Sequence, residues 1–310
     1  MTWRTWQAAA AEALYGPGGF FLRERPADHF RTSVAATPLF GTAVRRLAGL
    51  VDEALGYPDP FDVVDVGAGR GELLSALPDV PGRWRLTGVD LATADVPYAW
   101  RSEIPEVEGL LFANEWLDDV PVDVLVDGRL IEVAADGSER PGAVAPAEDL
   151  AWARRWWPDA DRVEVGRPRD LAWAAAAGRV RRGLAVAVDY GHTVADRRAT
   201  LTGYRDGRQV PPVPDGSCDL TAHVALDACA AATGARLMRQ REALHMLGIS
   251  ARRPPGQLAE TDPLGYLALL QQAGQAGELL DPDRLGGFGW LVQPVGIPDP
   301  LTGPLTDSVR

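Results

Sequence analysis

The 310-residue sequence contains no lysine: all 31 of its basic residues are arginine. That absence removes whole classes of chemistry. No Schiff-base or pyridoxal-phosphate lysine can form, and a phosphate loop has no lysine to reach its phosphates. Cysteine is almost absent too. Cys218 and Cys229 are the only two and form no CxxC pair, so neither a four-cysteine zinc site nor a disulfide framework is available. They read as reduced thiols of a cytoplasmic protein. Met1 to Leu14 lacks the long uncharged core of a signal peptide. No stretch approaches the roughly 20 apolar residues of a membrane span, so no membrane partner is expected. No spacing of histidine with carboxylates suggests a metal. Positive charge is short overall, since 43 Asp and Glu outweigh the arginines to leave a net charge of -12. Such a surface repels phosphate backbones and suits a cationic partner better than a nucleic acid.

What is present fits a soluble globular protein of the α/β class. The hydrophobic share of 46% is enough for a sizeable core and leaves no disordered or coiled-coil character. Residues 2–14 read as a helix, broken by Tyr15 to Phe21 with its three glycines and a proline. Phe40 to Leu55 reads as an amphipathic helix with Ala43, Leu47, Leu50, Val51 and Leu55 near one stripe. Short apolar runs at Phe61 to Val66, Trp84 to Val89, Gly109 to Ala113 and Leu184 to Val188 each end in polar residues. That is the pattern of an open parallel sheet with ligands outside the carboxyl ends of its strands. A helix is expected from Glu72 to Leu77, and further helices over 150–157, 171–180, 220–233 (closed by Gly234) and 256–280. A last strand is expected over 288–295, and a loose tail from Pro298. These readings divide the chain into a helical N-terminal lid region (1–60), an α/β core (61–126 and 184–249), an insertion (127–183) and a C-terminal helical segment with the last strand (250–310).

The segment Asp65-Val66-Gly67-Ala68-Gly69-Arg70-Gly71 follows the first strand and opens a helix. Glycines let a ligand approach the main-chain amides closely, and a helix N-terminus presents free N–H groups. Two ligand types use this arrangement, dinucleotides and S-adenosylmethionine. The dinucleotide pattern is G-x-G-x-x-G. Here the third glycine comes one residue early, and Asp65 stands two positions before the first, where enzymes of this fold that use S-adenosylmethionine face the ligand's ammonium. Asp90, followed by Leu91, closes the next strand at about the distance expected of a ribose-binding acid. The spacing favours S-adenosylmethionine; a dinucleotide, or a glycine turn with no ligand, is the alternative.

Several segments, taken in order, resemble the MidA-like methyltransferases, a family that includes mitochondrial complex I assembly factors acting on protein arginine. They are Tyr15 to Phe21, His29 to Ser33, Phe40-Gly41, Asp65 to Gly71, Ala113 to Asp118 with Val120-Pro121, Asp189 to His192, Leu201 to Arg205, and Asp215 to Val224. The resemblance runs from about Leu14 to about Ile249. It implies a Rossmann-like S-adenosylmethionine-binding sheet with helical additions over the substrate side, and methyl transfer to a protein arginine. A small-molecule acceptor, or a cofactor-binding assembly protein without turnover, is the alternative. Four segments depart from the family pattern. Asp206-Gly207 stands where a histidine commonly follows the Tyr204-Arg205 pair. The helix after Asp90 is shortened. The family's N-E-F-F-D-A-L-P reads N-E-W-L-D-D-V-P. Gly287 to Trp290 stands where the family carries a lysine.

For the cofactor, Gly67, Ala68 and Gly69 are expected around the methionine part, Asp65 at the ammonium, Asp90 and Leu91 at the nucleoside. Asn114 stands at the end of a central strand, and Arg31, Thr32 and Ser33 fold over the cofactor. Arg31 would suit the carboxylate; a surface arginine is the other reading, as a strand-end cap is for Asp90. For catalysis, Glu115 is the first candidate, because a guanidinium nucleophile needs a carboxylate to hold its positive charge away from the attacking nitrogen. Asp118 comes second, with a turn cap as its alternative. His192 is a candidate general base, with a structural hydrogen bond as its alternative. Asp219 is expected as a helix N-cap, with His223 beside it and His29 in the lid. Trp152, Trp156 and Trp157, with Arg154 and Arg155, read as a helix covering the sheet; a partner or homodimer surface is the alternative.

Overall fold

The computed structural model describes residues 2–23 and 32–302. The apolar runs form a seven-stranded sheet. In chain order its strands are β1 (Phe61–Val66), β2 (Trp84–Val89), β3 (Ala99–Arg101), β4 (Val107–Asn114), β5 (Val180–Asp189), β6 (Arg236–Arg239) and β7 (Gly289–Val295). Across the sheet they lie in the order β6-β7-β5-β4-β1-β2-β3. Only β7 runs antiparallel to its neighbours. The strand order reverses between β1 and β4, which opens a crevice at their carboxyl ends.

Strand β4 is apolar without alternation because both faces are covered. Leu110 and Phe112 enter one core with Phe40 and Leu47 of the helix Pro38–Ala54 and with Trp290. Leu111 and Ala113 enter the opposite core with Trp173 and Ala176 of the helix Arg167–Ala177 and with Cys229. Phe112 meets Phe40 and Trp290 edge-on. Each such buried aromatic contributes roughly 1.5–3 kcal/mol by leaving water. Both cysteines are free and buried, and no helix among the described residues is long and apolar enough to cross a membrane.

Four stretches away from the glycine loop differ from the sequence expectations. The region 127–183 is more ordered than its irregular pattern predicts. Its strands Arg129–Val133, Glu139–Val144 and Arg162–Val165 join Asp123–Val126 and the N-terminal Arg4–Thr5 in a second, antiparallel sheet of five strands. The sheets therefore draw strands across the expected segment limits: Asp123–Val126 belongs to the second sheet, and β7, from the C-terminal segment, to the first. Trp152 and Trp157 are buried against Val163, Val165 and Ala225, so their helix (Ala147–Trp156) covers the second sheet.

The helix expected over 220–233 begins only at Leu226. Before it, Asp219–Thr221 pairs with Thr202–Arg205, so Asp219 is a strand residue and caps no helix. Gly234 closes the helix in the left-handed conformation, as expected. The span 256–280 breaks at Asp262 into Leu258–Thr261 and Pro263–Leu280, with Pro263 at the first helical position where its missing N–H costs nothing. The tail is held up to residue 302: Leu301 is buried, and Asp299 accepts from Arg236 Nε at 2.9 Å.

Candidate active site

A cavity of about 430 Å³ opens at the carboxyl ends of β1, β2 and β4, at the strand-order reversal. Asp65, Gly67, Ala68 and Gly69 line one side, Asp90 and Leu91 a second, Asn114 and Glu115 a third. The N-terminal segment closes the remaining side through Tyr15, Phe21, Thr32 and Val34. Arg31 and His29 lie outside the described residues.

The glycine loop is shaped by positive φ angles of 71° at Gly67, 59° at Gly69 and 89° at Gly71. A Cβ at Gly71 would stand 2.1 Å from the Tyr98 hydroxyl, so only glycine fits. The Asp90 carboxylate ties the loop to β2, accepting from Gly69 N and Ala92 N, both at 2.9 Å. The helix after the loop is only Glu72–Ser75, shorter than the expected Glu72 to Leu77. One turn carries little dipole, so the cradle is made by the loop amides themselves.

Asp65 is buried and its carboxylate makes no hydrogen bond among the described residues; burial, then Glu72 and Asp90, raise its pKa well above the usual carboxylate range. Asn114 Oδ1 is buried without a partner as well. Among the described residues, the cavity wall carries five carboxylates (Asp65, Glu72, Asp90, Glu115 and Asp119) and one cation, Arg70. Such a wall calls for a positively charged ligand with donors to spare.

Glu115 sits just beyond β4 in the left-handed region, at φ 51°. For a non-glycine residue this is a strained conformation, and here three hydrogen bonds hold it. Its own N–H donates to Val188 O at 2.8 Å, while its Oε1 accepts from Ser33 N at 2.9 Å and Asn114 Nδ2 at 3.0 Å. Burial raises its pKa to about 7; the Ser33 N–H opposes the shift and the negative Asp118 adds to it. Ser33 is held in turn by Gln240, whose Nε2 donates to Ser33 Oγ at 3.2 Å and whose Oε1 accepts from Trp290 Nε1 at 3.1 Å. Gln240 is fully buried, and nothing in its sequence context marked it.

Asp118 does not line the cavity. It is buried behind Glu115, where its Oδ2 accepts from Tyr190 Oη and, at 2.9 Å, from Thr221 Oγ1. This bonding replaces the turn-cap reading. His192 is also away from the cavity, beside a smaller recess with Leu226 and Arg239. Arg197 Nη1 donates to its Nδ1 at 2.7 Å. A guanidinium only donates, so Nδ1 is the lone-pair nitrogen and Nε2 carries the hydrogen. Burial, helped by Arg197, lowers its pKa to about 4, so the ring is neutral and its basic nitrogen is occupied. The sequence candidate for a general base is thus a structural histidine. His223 packs its ring on Tyr190, at 5.3 Å between centroids.

The chain's identity follows from a family comparison that agrees with this geometry. A family model described as "Putative S-adenosyl-L-methionine-dependent methyltransferase" matches residues 84–242, just over half of the chain. The chain belongs to this family. S-adenosylmethionine is the methyltransferase's cofactor, and the unpartnered Asp65, the acidic wall and the glycine cradle fit its positive charge and its donors. Two solved structures share the fold. One is a superfamily member from Burkholderia thailandensis bound to S-adenosyl-homocysteine, with 23% identity and a TM-score of 0.74 over 96% of this chain and 89% of that one. The other is an uncharacterized superfamily protein from the same organism, with 23% identity and a TM-score of 0.74 over 97% and 90%. No curated protein matches the sequence. Among the described residues, no group of three or more His, Cys, Asp or Glu is placed to hold a metal ion.

Proposed function

We propose that this methyltransferase modifies a guanidinium nitrogen of a protein arginine. The observation that carries the reading is Glu115, a carboxylate held in a strained conformation at the end of the central strand, in a cavity with an acidic wall. When bound, the cofactor supplies a methyl group on a sulfonium. The chain's residues have two tasks: to line up the acceptor nitrogen and to manage its charge. Asp65 holds the cofactor's ammonium, the amides of Gly67 to Gly69 surround its methionine part, Asp90 takes the ribose hydroxyls and Leu91 flanks the base. Thr32 stands on the side of the cavity that would take the carboxylate. Ser33 and Asn114 aim Glu115 at the acceptor. Glu115 draws the guanidinium's positive charge to one side, leaves the attacking nitrogen its lone pair, and receives the proton that the methylated nitrogen loses. Asp118 acts at one remove, through its charge on Glu115.

The cavity mouth supports a large acceptor. Leu22 and Leu91 line the cavity and are 50% and 68% exposed. Apolar lips open to solvent suit a substrate whose bulk stays outside. The test incubates the purified protein with methyl-labelled S-adenosylmethionine and a lysate, followed by mass spectrometry of hydrolysed protein. Labelled methylarginine is the expected product. Label confined to small molecules overturns the protein acceptor, and cofactor binding without any label overturns turnover.

A further inference from the structure

Asp119 lines the cavity with Glu115 and Tyr15, yet none of the roles above uses it. Its Oδ1 is buried without a hydrogen bond. The Tyr15 hydroxyl, which could have satisfied that carboxylate, donates instead to the main-chain oxygen of Asp119 at 2.9 Å. That contact pins the backbone and leaves the side chain uncompensated. The local cation is Arg169, and its N–H groups are committed elsewhere: to Val120 O at 2.9 Å, Ala222 O at 2.8 Å, His223 O at 3.1 Å and Asp118 O at 2.5 Å. The other charges acting on Asp119, from Asp118, Asp219 and Asp189, are negative. A half-buried carboxylate with one oxygen closed off from water and unpaired is costly in these surroundings until a cationic donor reaches it.

We propose that Asp119 is the residue that selects a cationic acceptor, binding the acceptor's guanidinium together with Glu115. The proposal builds on the arginine reading and narrows it. Glu115 and Asp119 lie four residues apart and both face one cavity. A guanidinium carries five N–H donors in a planar fork and can serve two carboxylates at once, which a neutral urea of the same shape cannot do with charge.

The test uses protein loaded with S-adenosylhomocysteine and two small probes of matched shape, N-acetyl-arginine amide and N-acetyl-citrulline amide, titrated by calorimetry. The wild type is expected to prefer the arginine probe by about tenfold or more. Asp119→Asn and Asp119→Ala should lose most of that preference, with matching circular dichroism and with S-adenosylhomocysteine affinity within about threefold of wild type. No preference in the wild type, or a preference retained in both variants, overturns the proposal. So does a parallel loss of S-adenosylhomocysteine affinity, which would put Asp119 on the cofactor side. The two readings fail separately. Methylarginine formed equally well by Asp119→Ala removes the role of Asp119 and leaves the arginine reading standing. A wild type that discriminates between the probes but labels only small cations removes the protein acceptor and leaves Asp119 standing.

Discussion

Glu115 combines two costs that ordinary packing does not explain: a left-handed backbone and a carboxylate with its pKa near 7. Both are accounted for if the ionised side chain must point at one place in the cavity. Replacing it with glutamine keeps the shape and removes the charge. Glu115→Gln should lower kcat by about 10²- to 10³-fold and leave cofactor affinity within a few-fold, read by turnover and calorimetry. A large loss of cofactor affinity at unchanged kcat would assign Glu115 to the cofactor instead. The pH dependence follows from the same group. The active form is the ionised one, which dominates above its pKa, so kcat/KM for the acceptor should climb about tenfold per pH unit below about 7 and level off above it. Glu115→Gln should remove that limb. On the donor side, Gly71 has φ 89°, and a Cβ there would press on the Tyr98 hydroxyl, which itself donates to Gly71 O at 2.8 Å. Gly71→Ala should cost about tenfold in cofactor affinity, from about 1–2 kcal/mol of left-handed strain. Unchanged affinity by calorimetry would show that the loop has room to relax.

At the scale of elements, the glycine-loop side of the cavity was legible because its signals are local. Asp65 to Gly71 and Asp90 each stand at the end of a short, mainly apolar strand, and β1, β2, β4 and β5 stand where their apolar runs put them. The surroundings of Glu115 and Asp118 depend on contacts between distant segments, which leave no periodic trace. Asp219 and Thr221 are followed by a helical run, but Asp219–Thr221 is drawn into pairing with Thr202–Arg205, and that pairing carries Thr221 to Asp118. The second sheet is built of strands of two to six residues, too short to show alternation. Nothing in the Arg-Pro-Arg-Asp helix start marks Arg169, and only the fold shows it 3% exposed. It joins the inserted helix to the loop of Asp118 and Val120 and to Ala222 and His223. Arg169→Ala should therefore destabilise the protein by about 3–5 kcal/mol, because it unpairs buried carbonyls and removes the cation nearest Asp118 and Asp189. Arg169→Lys, a point charge without the fork, should recover only part of that in chemical denaturation. A loss below about 1 kcal/mol in the alanine variant would mean that the loop holds without it.

Over the whole molecule, the buried acids give stability an unusual dependence on pH. Asp219 is fully buried with neither oxygen bonded, and burial, then Asp118, push its pKa up to about 7. Asp65, Asp118, Asp119 and Asp189 are raised too, each mainly by burial. A carboxyl with a higher pKa folded than unfolded binds more protons in the native state between those two values. Its stabilising effect is complete below the unfolded pKa and is lost as pH rises through the folded one. Asp136, Glu139 and Asp196 have lowered values and act the other way, but they are more exposed and contribute less. The ligand-free protein should therefore melt at a higher temperature at pH 5.5 than at pH 8. Each raised group changes stability by at most about 1.4 kcal/mol per pH unit. Asp219→Asn isolates one of them: with a folded value near 7 it should gain about 4 kcal/mol at pH 8 and only about 1–2 kcal/mol at pH 5, read by thermal melts at both values. A variant that loses stability equally at both would show that the Asp219 carboxylate is paired in solution. The cofactor enters the same balance through the cavity acids. Its positive charge favours their ionised forms, so binding at pH 6.5 should release protons. Calorimetry in two buffers of different ionisation enthalpy measures that release directly, and proton uptake would mean that the acidic wall does not face the cofactor's charge.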